Sequence, residues 1–245
     1  MSKYVLIHGA GVGAWCWYKM LPLLQRAGHE VIAPDLPGLG RDVTPLDRIS
    51  LASWTDHICQ IVVAQPEPVV LVGHSRGGII LSCVAEKCPE KIALLVYVTA
   101  ILARDGETAR QLVVDDGTSL LGPNQVLADG GKSWSLKEEA LREVYFEKSP
   151  EEDITLAKLL IRPEPRGPGG TPIHITEANF GSVPRMYIEC LRDKAVPSSL
   201  QKKMYSALPC RKVMTIDTDH SPFFSAPEQL ADCLLSIDPG RGNAA

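Results

Sequence analysis

The sequence predicts an α/β fold: a mostly parallel, doubly wound sheet with a helical cap inserted into it. Three observations lead there. Short apolar runs alternate with longer amphipathic stretches over residues 1–103 and again over 182–245. Those runs are rich in Val, Ile and Leu and mostly lack polar alternation, as expected of strands covered on both faces. Between them, at about residues 104–181, the alternation breaks and the chain becomes more polar. A single domain of 245 residues accommodates this pattern, with its core in the two flanking spans and its cap between them.

The elements follow in order. Tyr4–His8 reads as a strand that runs into Gly9-Ala10-Gly11. A helix is expected over Trp15–Ala27, with Gly28 where a C-cap is wanted. Glu30–Ala33 is the second strand and Leu51–Ala64 the second helix. Val69–Gly73 leads directly into a helix over Arg76–Lys87, which Pro89 follows. Ile92–Thr99 is the fourth strand. The insertion carries helical patterns at Lys137–Glu147 and Pro150–Leu160, a Pro/Gly-rich segment at Arg162–Pro172, and no strong strand run. Ligands of open α/β sheets bind at the carboxyl ends of the strands, so the insertion is expected to cover that edge. Strand Arg185–Cys190, helix Ser198–Leu208, strand Lys212–Ile216 and helix Pro227–Ser236 complete the pattern.

Composition removes several classes of function. Hydrophobic residues are 45% and charged residues 22%, which builds a core and argues against disorder. Lys and Arg number 25 against 29 Asp and Glu, a net charge of −4, with no basic run for nucleic acid or an anionic membrane. The longest apolar runs, such as Ile92–Val98, fall far short of a membrane span. The apolar pattern that begins at Tyr4 leaves no room for a signal peptide. Seven cysteines, odd in number and without a CxxC pair, fit reduced thiols in a cytoplasmic protein better than a disulfide framework.

The chemistry is carried by Gly73-His74-Ser75-Arg76-Gly77, a G-x-S-x-G elbow between an apolar strand and a helix. The nucleophilic Ser must sit on a strained turn that lifts its oxygen above the sheet. Glycines two before and two after leave room for that turn. The helix behind it offers free N–H groups and a dipole that favour developing negative charge. The structural alternative for Ser75 is an ordinary helix N-cap. At the end of the first strand, His8-Gly9-Ala10-Gly11 offers a second backbone donor, to act with the Arg76 amide on a tetrahedral intermediate. Gly9, Gly11 and Ala14, with Asp35 after the second strand, also fit a dinucleotide-binding fingerprint. That reading explains neither the elbow nor a late histidine, and Asp35-Leu36-Pro37-Gly38 also reads as a turn.

Six histidines compete for the role of base. His8 is on the oxyanion loop, His29 in a turn, His57 inside a helix, and His74 points away if Ser75 points up. Elbow folds run Ser, acid, His along the chain, which leaves His174 and His220. His174 follows no strand. His220 follows the last apolar run by a short polar loop and is the expected base. Asp193, after the strand Arg185–Cys190, is the expected acid that holds the imidazole tautomer. Asp217 and Asp219 are too close to His220 in sequence to turn onto its ring easily. A loop carboxylate paired with Lys194 or Arg192 is the alternative for Asp193.

These blocks resemble a known family. His8-Gly9-Ala10-Gly11-Val12-Gly13-Ala14-Trp15-Cys16-Trp17-Tyr18-Lys19 resembles the start of the plant methylesterase / hydroxynitrile lyase family of α/β-hydrolases. Ala27–Val31, Pro34–Leu36, Ser149–Pro163 and Phe180–Lys194 resemble its second strand, its cap and its acid strand. Bacterial carboxylesterases, including pyrethroid hydrolases, are similar too. The resemblance covers nearly the whole chain. It implies the α/β-hydrolase fold, a triad of Ser75, Asp193 and His220, and an oxyanion hole formed by the Ala10 and Arg76 amides. The lyases of this family carry Thr after the first-strand His and Lys after the catalytic His. Gly9 and Ser221 stand at those positions, which points to the esterase branch. Arg76 replaces the usual Leu. A cation is unfavourable at a helix N-terminus, so Arg76 is expected to pair with a cap carboxylate or to meet an acidic substrate.

The sequence therefore predicts a serine carboxylesterase for small or hydrophobic esters, with no metal or organic cofactor. Gly9 and Trp134 are candidate substrate contacts, although a cap Trp is as often simply core. The expected partner is a small-molecule ester, with no nucleic acid and no membrane, and a homodimer is compatible. Cyanohydrin cleavage, or a slow-turnover receptor derived from a hydrolase, are the alternatives. Which ester is used is not legible in the sequence.

Overall fold

The computed structural model describes residues 1–237, so residues 238–245 of the expected core span lie outside the described residues. In chain order the strands are β1 (Lys3–Ile7), β2 (Glu30–Ile32), β3 (Val69–His74), β4 (Ile92–Val98), β5 (Gln125–Ala128), β6 (Ser133–Leu136), β7 (Glu164–Pro165), β8 (Arg185–Cys190) and β9 (Lys212–Ile216). The helices are α1 (Met20–Arg26), α2 (Leu51–Val63), α3 (Gly77–Lys87), α4 (Ala109–Asp116), α5 (Leu141–Tyr145), α6 (Glu151–Leu160), α7 (Arg166–Gly169), α8 (Ser198–Ala207), α9 (Pro222–Ser225) and α10 (Pro227–Leu235).

One six-stranded sheet runs β2-β1-β3-β4-β8-β9. All of its neighbouring pairs are parallel. Its strands explain their own apolar runs. Val5, Ile7, Val69 and Leu71 pack into one core with Trp54 and Ile58 of α2, Ile79 and Ile80 of α3, and Leu200 of α8. The alternate residues Tyr4, Leu6, Val70 and Val72 pack into another with Met20 and Leu24 of α1 and Leu230 and Leu234 of α10. Both faces of the central strands β1, β3 and β4 are buried, so these strands are apolar almost throughout, whereas the edge strands β2 and β9 are more exposed. Chain order reverses between β1 and β3, which sends their following loops apart. The crevice at that switch point is where open α/β sheets bind ligands.

Two expectations change. The helix expected over Trp15–Ala27 is a 3₁₀ turn at Ala14–Trp17 followed by α1 from Met20. Pro22 sets this start: without an N–H it suits a first turn but not a helix interior. The cap is not purely helical. β5, β6 and β7 form a three-stranded antiparallel sheet. The turn between β5 and β6 uses Gly130 and Gly131 at φ 64° and 83°, so an Asp-Gly-Gly hairpin signal was available at Asp129. The pattern at Pro150–Leu160 appears as α6, whereas that at Lys137–Glu147 contracts to a 3₁₀ turn and the short α5. Unexpected α4 is capped by Thr108, whose Oγ1 accepts from Gln111 N at 3.0 Å. No described helix is long and apolar enough to cross a membrane.

The approach of α3 to the chain after β4 is testable. A Cβ at Gly78 would stand 2.2 Å from the Ile101 carbonyl oxygen, whereas one at Gly122 meets nothing within 4 Å. Gly78→Ala should lower stability by about 1–3 kcal/mol through overpacking, and Gly122→Ala should stay within about 0.5 kcal/mol of the parent. Thermal and urea unfolding of the two variants would measure this. Equal stabilities would mean that the contact at Gly78 yields easily.

Candidate active site

Ser75 lies at the junction of β3 and α3 in a left-handed conformation, φ 52°. Such a conformation is costly for a residue with a Cβ and survives only where its surroundings enforce it. Its N–H donates to Val98 O at 3.2 Å, and its carbonyl accepts from Ile101 N at 2.9 Å and Gly78 N at 3.1 Å. The turn has no room for side chains beside it. A Cβ at Gly73 would be 2.4 Å from Leu81 Cδ1, and one at Gly77 would be 3.1 Å from the Ile7 and His8 carbonyl oxygens. The glycines on either side of the elbow do what the sequence spacing predicts.

Asp193 follows β8 and His220 follows β9, and the two side chains meet. Their Nδ1–Oδ2 distance is 2.6 Å, and both side chains are buried. The other carboxylate oxygen accepts from Ala195 N at 2.7 Å and Val196 N at 2.8 Å, and the Thr99 hydroxyl donates to Oδ2. The pairing of Asp193 with Lys194 or Arg192 does not occur. Lys194 pairs with Glu143 and Glu147, and Arg192 with Asp217. Asp219 turns away from the ring: it accepts from Lys148 N at 2.7 Å and Ser225 Oγ at 2.7 Å. No hydrogen bond joins Ser75 Oγ to His220 in this geometry, a looseness common in such pairs before a substrate draws them together.

The other histidines have structural surroundings. His74 lies beneath the site, with Nε2 2.7 Å from the His220 carbonyl oxygen and the two rings 4.6 Å apart. Burial, with His220 beside it, holds its pKa well below the ordinary value. His8 Nε2 accepts from Leu36 N at 3.1 Å, which leaves Nδ1 as the donor to Gly9 O at 2.9 Å. Burial, and then Arg76, lower its pKa to about 3, so it stays neutral. His29 accepts from Ser2 N, His57 sits in α2, and His174 is exposed beside Asp105.

The loop after β1 closes the site from the other side. Ala10, Ser75 and Arg76 line a cavity of about 430 Å³, with Trp134 and Tyr145 from the cap on its wall. The Ala10 and Arg76 amides donate to no protein group among the described residues. Gly9, expected as a substrate contact, lies beside His74 and Ser75 and is not among the residues that line the cavity. A Cβ there would be 2.6 Å from His74 Nδ1. The dinucleotide alternative finds its groups engaged. Asp35 accepts from Ala14 N at 2.7 Å, and Gly11 N donates to Glu164 Oε2 at 2.8 Å.

Arg76 meets a cap carboxylate, as one of its two sequence readings has it. Nε stands 2.8 Å from Glu164 Oε1, and both side chains are buried. The guanidinium also lies over the Trp54 ring, 4.1 Å from its centre. Sequence reasoning missed Glu164, Thr99 and Tyr145, whose ring stacks on His220 with centres 5.1 Å apart. Only Glu164 had a signal, the unexplained cation at position 76. No cluster able to hold a metal ion occurs among the described residues.

A family model described as the alpha/beta hydrolase family matches residues 4–233. Methylesterase 1 of Arabidopsis thaliana is 35% identical over 257 residues, which cover 96% of this chain and 95% of that protein. The chain spans from 56% to 95% of the length of the Arabidopsis methylesterases it matches. Among solved structures, polyneuridine aldehyde esterase superposes with a TM-score of 0.90 at 31% identity, covering 97% of this chain and 99% of that one. A pyrethroid hydrolase from Sphingobium faniae JZ-2 gives 0.87 at 31% identity, covering 96% of each chain.

The two buried aspartates near His220 make different contacts and should behave differently. Asp193→Asn should lower kcat by roughly 10²–10⁴, because an amide can favour the wrong imidazole tautomer. Asp219→Asn should cost far less. Steady-state kinetics on both variants would rank them, and the reverse order would show that the acid is misassigned.

Proposed function

This chain belongs to the alpha/beta hydrolase family and is a carboxylic ester hydrolase, and on that footing we propose that it works through an acyl-enzyme on Ser75. The observation that carries the reading is the buried Asp193–His220 contact at 2.6 Å beside a cavity lined by Ser75. Asp193 accepts the Nδ1 proton of His220 and leaves Nε2 free to take the Ser75 proton. Ser75 Oγ attacks the ester carbonyl. The oxyanion is stabilised by the Ala10 and Arg76 amides, which have no other partner among the described residues. Collapse expels the alcohol, protonated by His220, and leaves the acyl group on Ser75. A water that His220 deprotonates then releases the acid.

The cavity supports small or hydrophobic esters as substrates. Ile101, Val113, Val196, Trp134 and Tyr145 supply apolar wall, Arg76 is already paired with Glu164, and Arg110 and Arg166 add two cations elsewhere on the lining. Two features favour hydrolysis over cyanohydrin cleavage. Ser221 puts no cation next to His220. Gly9 has no space for the Thr that the lyases carry, since its Cβ would press on His74 and stand 3.0 Å from Ser75 Cβ. The seven cysteines are all free, which supports a reducing compartment such as the cytoplasm.

Four measurements test this. Small p-nitrophenyl esters should be hydrolysed, and mandelonitrile should release negligible cyanide. Ser75→Ala should lower kcat by about 10⁴ or more while leaving the fold intact. A serine-directed phosphonate should label the parent protein and not this variant. Unchanged labelling of Ser75→Ala, or cyanide release without ester turnover, would overturn the proposal.

A further inference from the structure

The side chain of Arg76 does more than fasten the cap. Its Nη2 donates to the Gly9 carbonyl oxygen at 2.7 Å. His8 Nδ1 donates to the same oxygen at 2.9 Å. That carbonyl shares one peptide unit with the Ala10 N–H, and no described peptide is cis. In a planar trans peptide the C=O and the N–H point in opposite directions, so fixing one fixes the other. Two donors on the carbonyl also draw charge from the peptide nitrogen and make its N–H a stronger donor, the more so when one donor is a buried cation.

The next peptides are held as firmly. Glu164 Oε2 accepts the Gly11 N–H at 2.8 Å, and the Gly11 carbonyl accepts from Arg162 N at 2.8 Å. Glu164 in turn holds Arg76 through the 2.8 Å ion pair. The Trp54 face fixes the plane of the guanidinium. Burial pushes the Glu164 carboxyl up and the Arg76 guanidinium down, and for each the partner is the first influence that opposes the shift.

We propose that the Arg76 side chain is a positioning residue of the oxyanion hole: it orients and polarises the Gly9–Ala10 peptide, so that one residue supplies one donor through its backbone and tunes the other through its guanidinium. This rests on the reading of Ser75 as nucleophile with the Ala10 and Arg76 amides as donors. It also accounts for a cation at a helix N-terminus, where the dipole disfavours one.

The test separates tuning from anchoring. Arg76→Met alone strands a buried carboxylate, so the informative protein is Arg76→Met/Glu164→Gln. It should melt near the parent temperature and keep KM within about threefold. Its kcat should fall about 10–100-fold, somewhat less than the loss of a whole oxyanion donor. Affinity for an aryl boronate or trifluoromethyl ketone, which forms a tetrahedral adduct, should fall in parallel. A double variant with kcat and adduct affinity within twofold of the parent would overturn the proposal and leave the pair as an anchor only. If that variant does not fold, Arg76→Lys and Glu164→Gln decide. Adduct affinity should drop more in Arg76→Lys, which loses the fork that reaches Gly9 O, and equal losses would overturn the proposal. Phosphonate labelling of Ser75 in the parent protein checks the underlying reading separately. A parent that turns over esters without labelling at Ser75 fails there, before Arg76 is at issue.

Discussion

Ser75 can hold its left-handed turn only because three backbones come together there with no side chains between them. Glycine at 73, 77 and 78 lets β3, the start of α3 and the chain beyond β4 approach within contact distance. The strain of such a residue is on the order of 1–3 kcal/mol, and the hydrogen bonds to Val98, Gly78 and Ile101 oppose its release. Everything else in the site is placed relative to this turn. Arg76 lines the cavity at the point where the chain turns into α3. His74, forced to the other side, becomes the floor on which His220 rests.

The parts of this arrangement that were legible in the sequence are local. The apolar run Val69–Val72 and the elbow glycines announce a buried strand, a turn and a helix within ten or so residues of one another. His220 and Asp193 could be chosen because each follows a strong strand run, and strand runs mark the edge where chemistry occurs. Residues joined across the chain left little trace. Glu164 sits 153 residues from Gly11, whose amide it accepts. Thr99 reaches Asp193 across 94 residues. The cap sheet was missed for a related reason: β5 is largely exposed and β7 is only two residues long, so neither shows the period of a buried strand. Arg76 was the exception, since a cation in an unfavourable place implies a partner somewhere.

The cap is joined to each of the three loops that carry the site. Glu164 and Arg162 bond to the loop after β1. Ser119 Oγ donates to Ala195 O at 2.7 Å and Leu120 N to Lys194 O at 2.9 Å, beside Asp193. Lys148 N donates to Asp219, next to His220. Cap substitutions can therefore act on the chemistry through these bonds as well as through the shape of the cavity wall. A buried polar group that loses its partner at one of these joints is expensive.

The order of the strands in space has a bearing on how the protein is made. β1, β2, β3 and β4 occupy one side of the sheet and come first in the chain, while β8 and β9 are added at the other edge. A growing chain can thus pair its first four strands and shape the Ser75 turn while the residues proposed to activate it are still unmade. Thr99 is then present without Asp193, and His74 without the imidazole that rests on it. On the proposed mechanism Ser75 exists early but is inert, since a serine hydroxyl without its base is a poor nucleophile. On that mechanism activity arrives only with the last strand, when β9 is in place to carry His220 to Asp193, so a chain interrupted before it lacks the base.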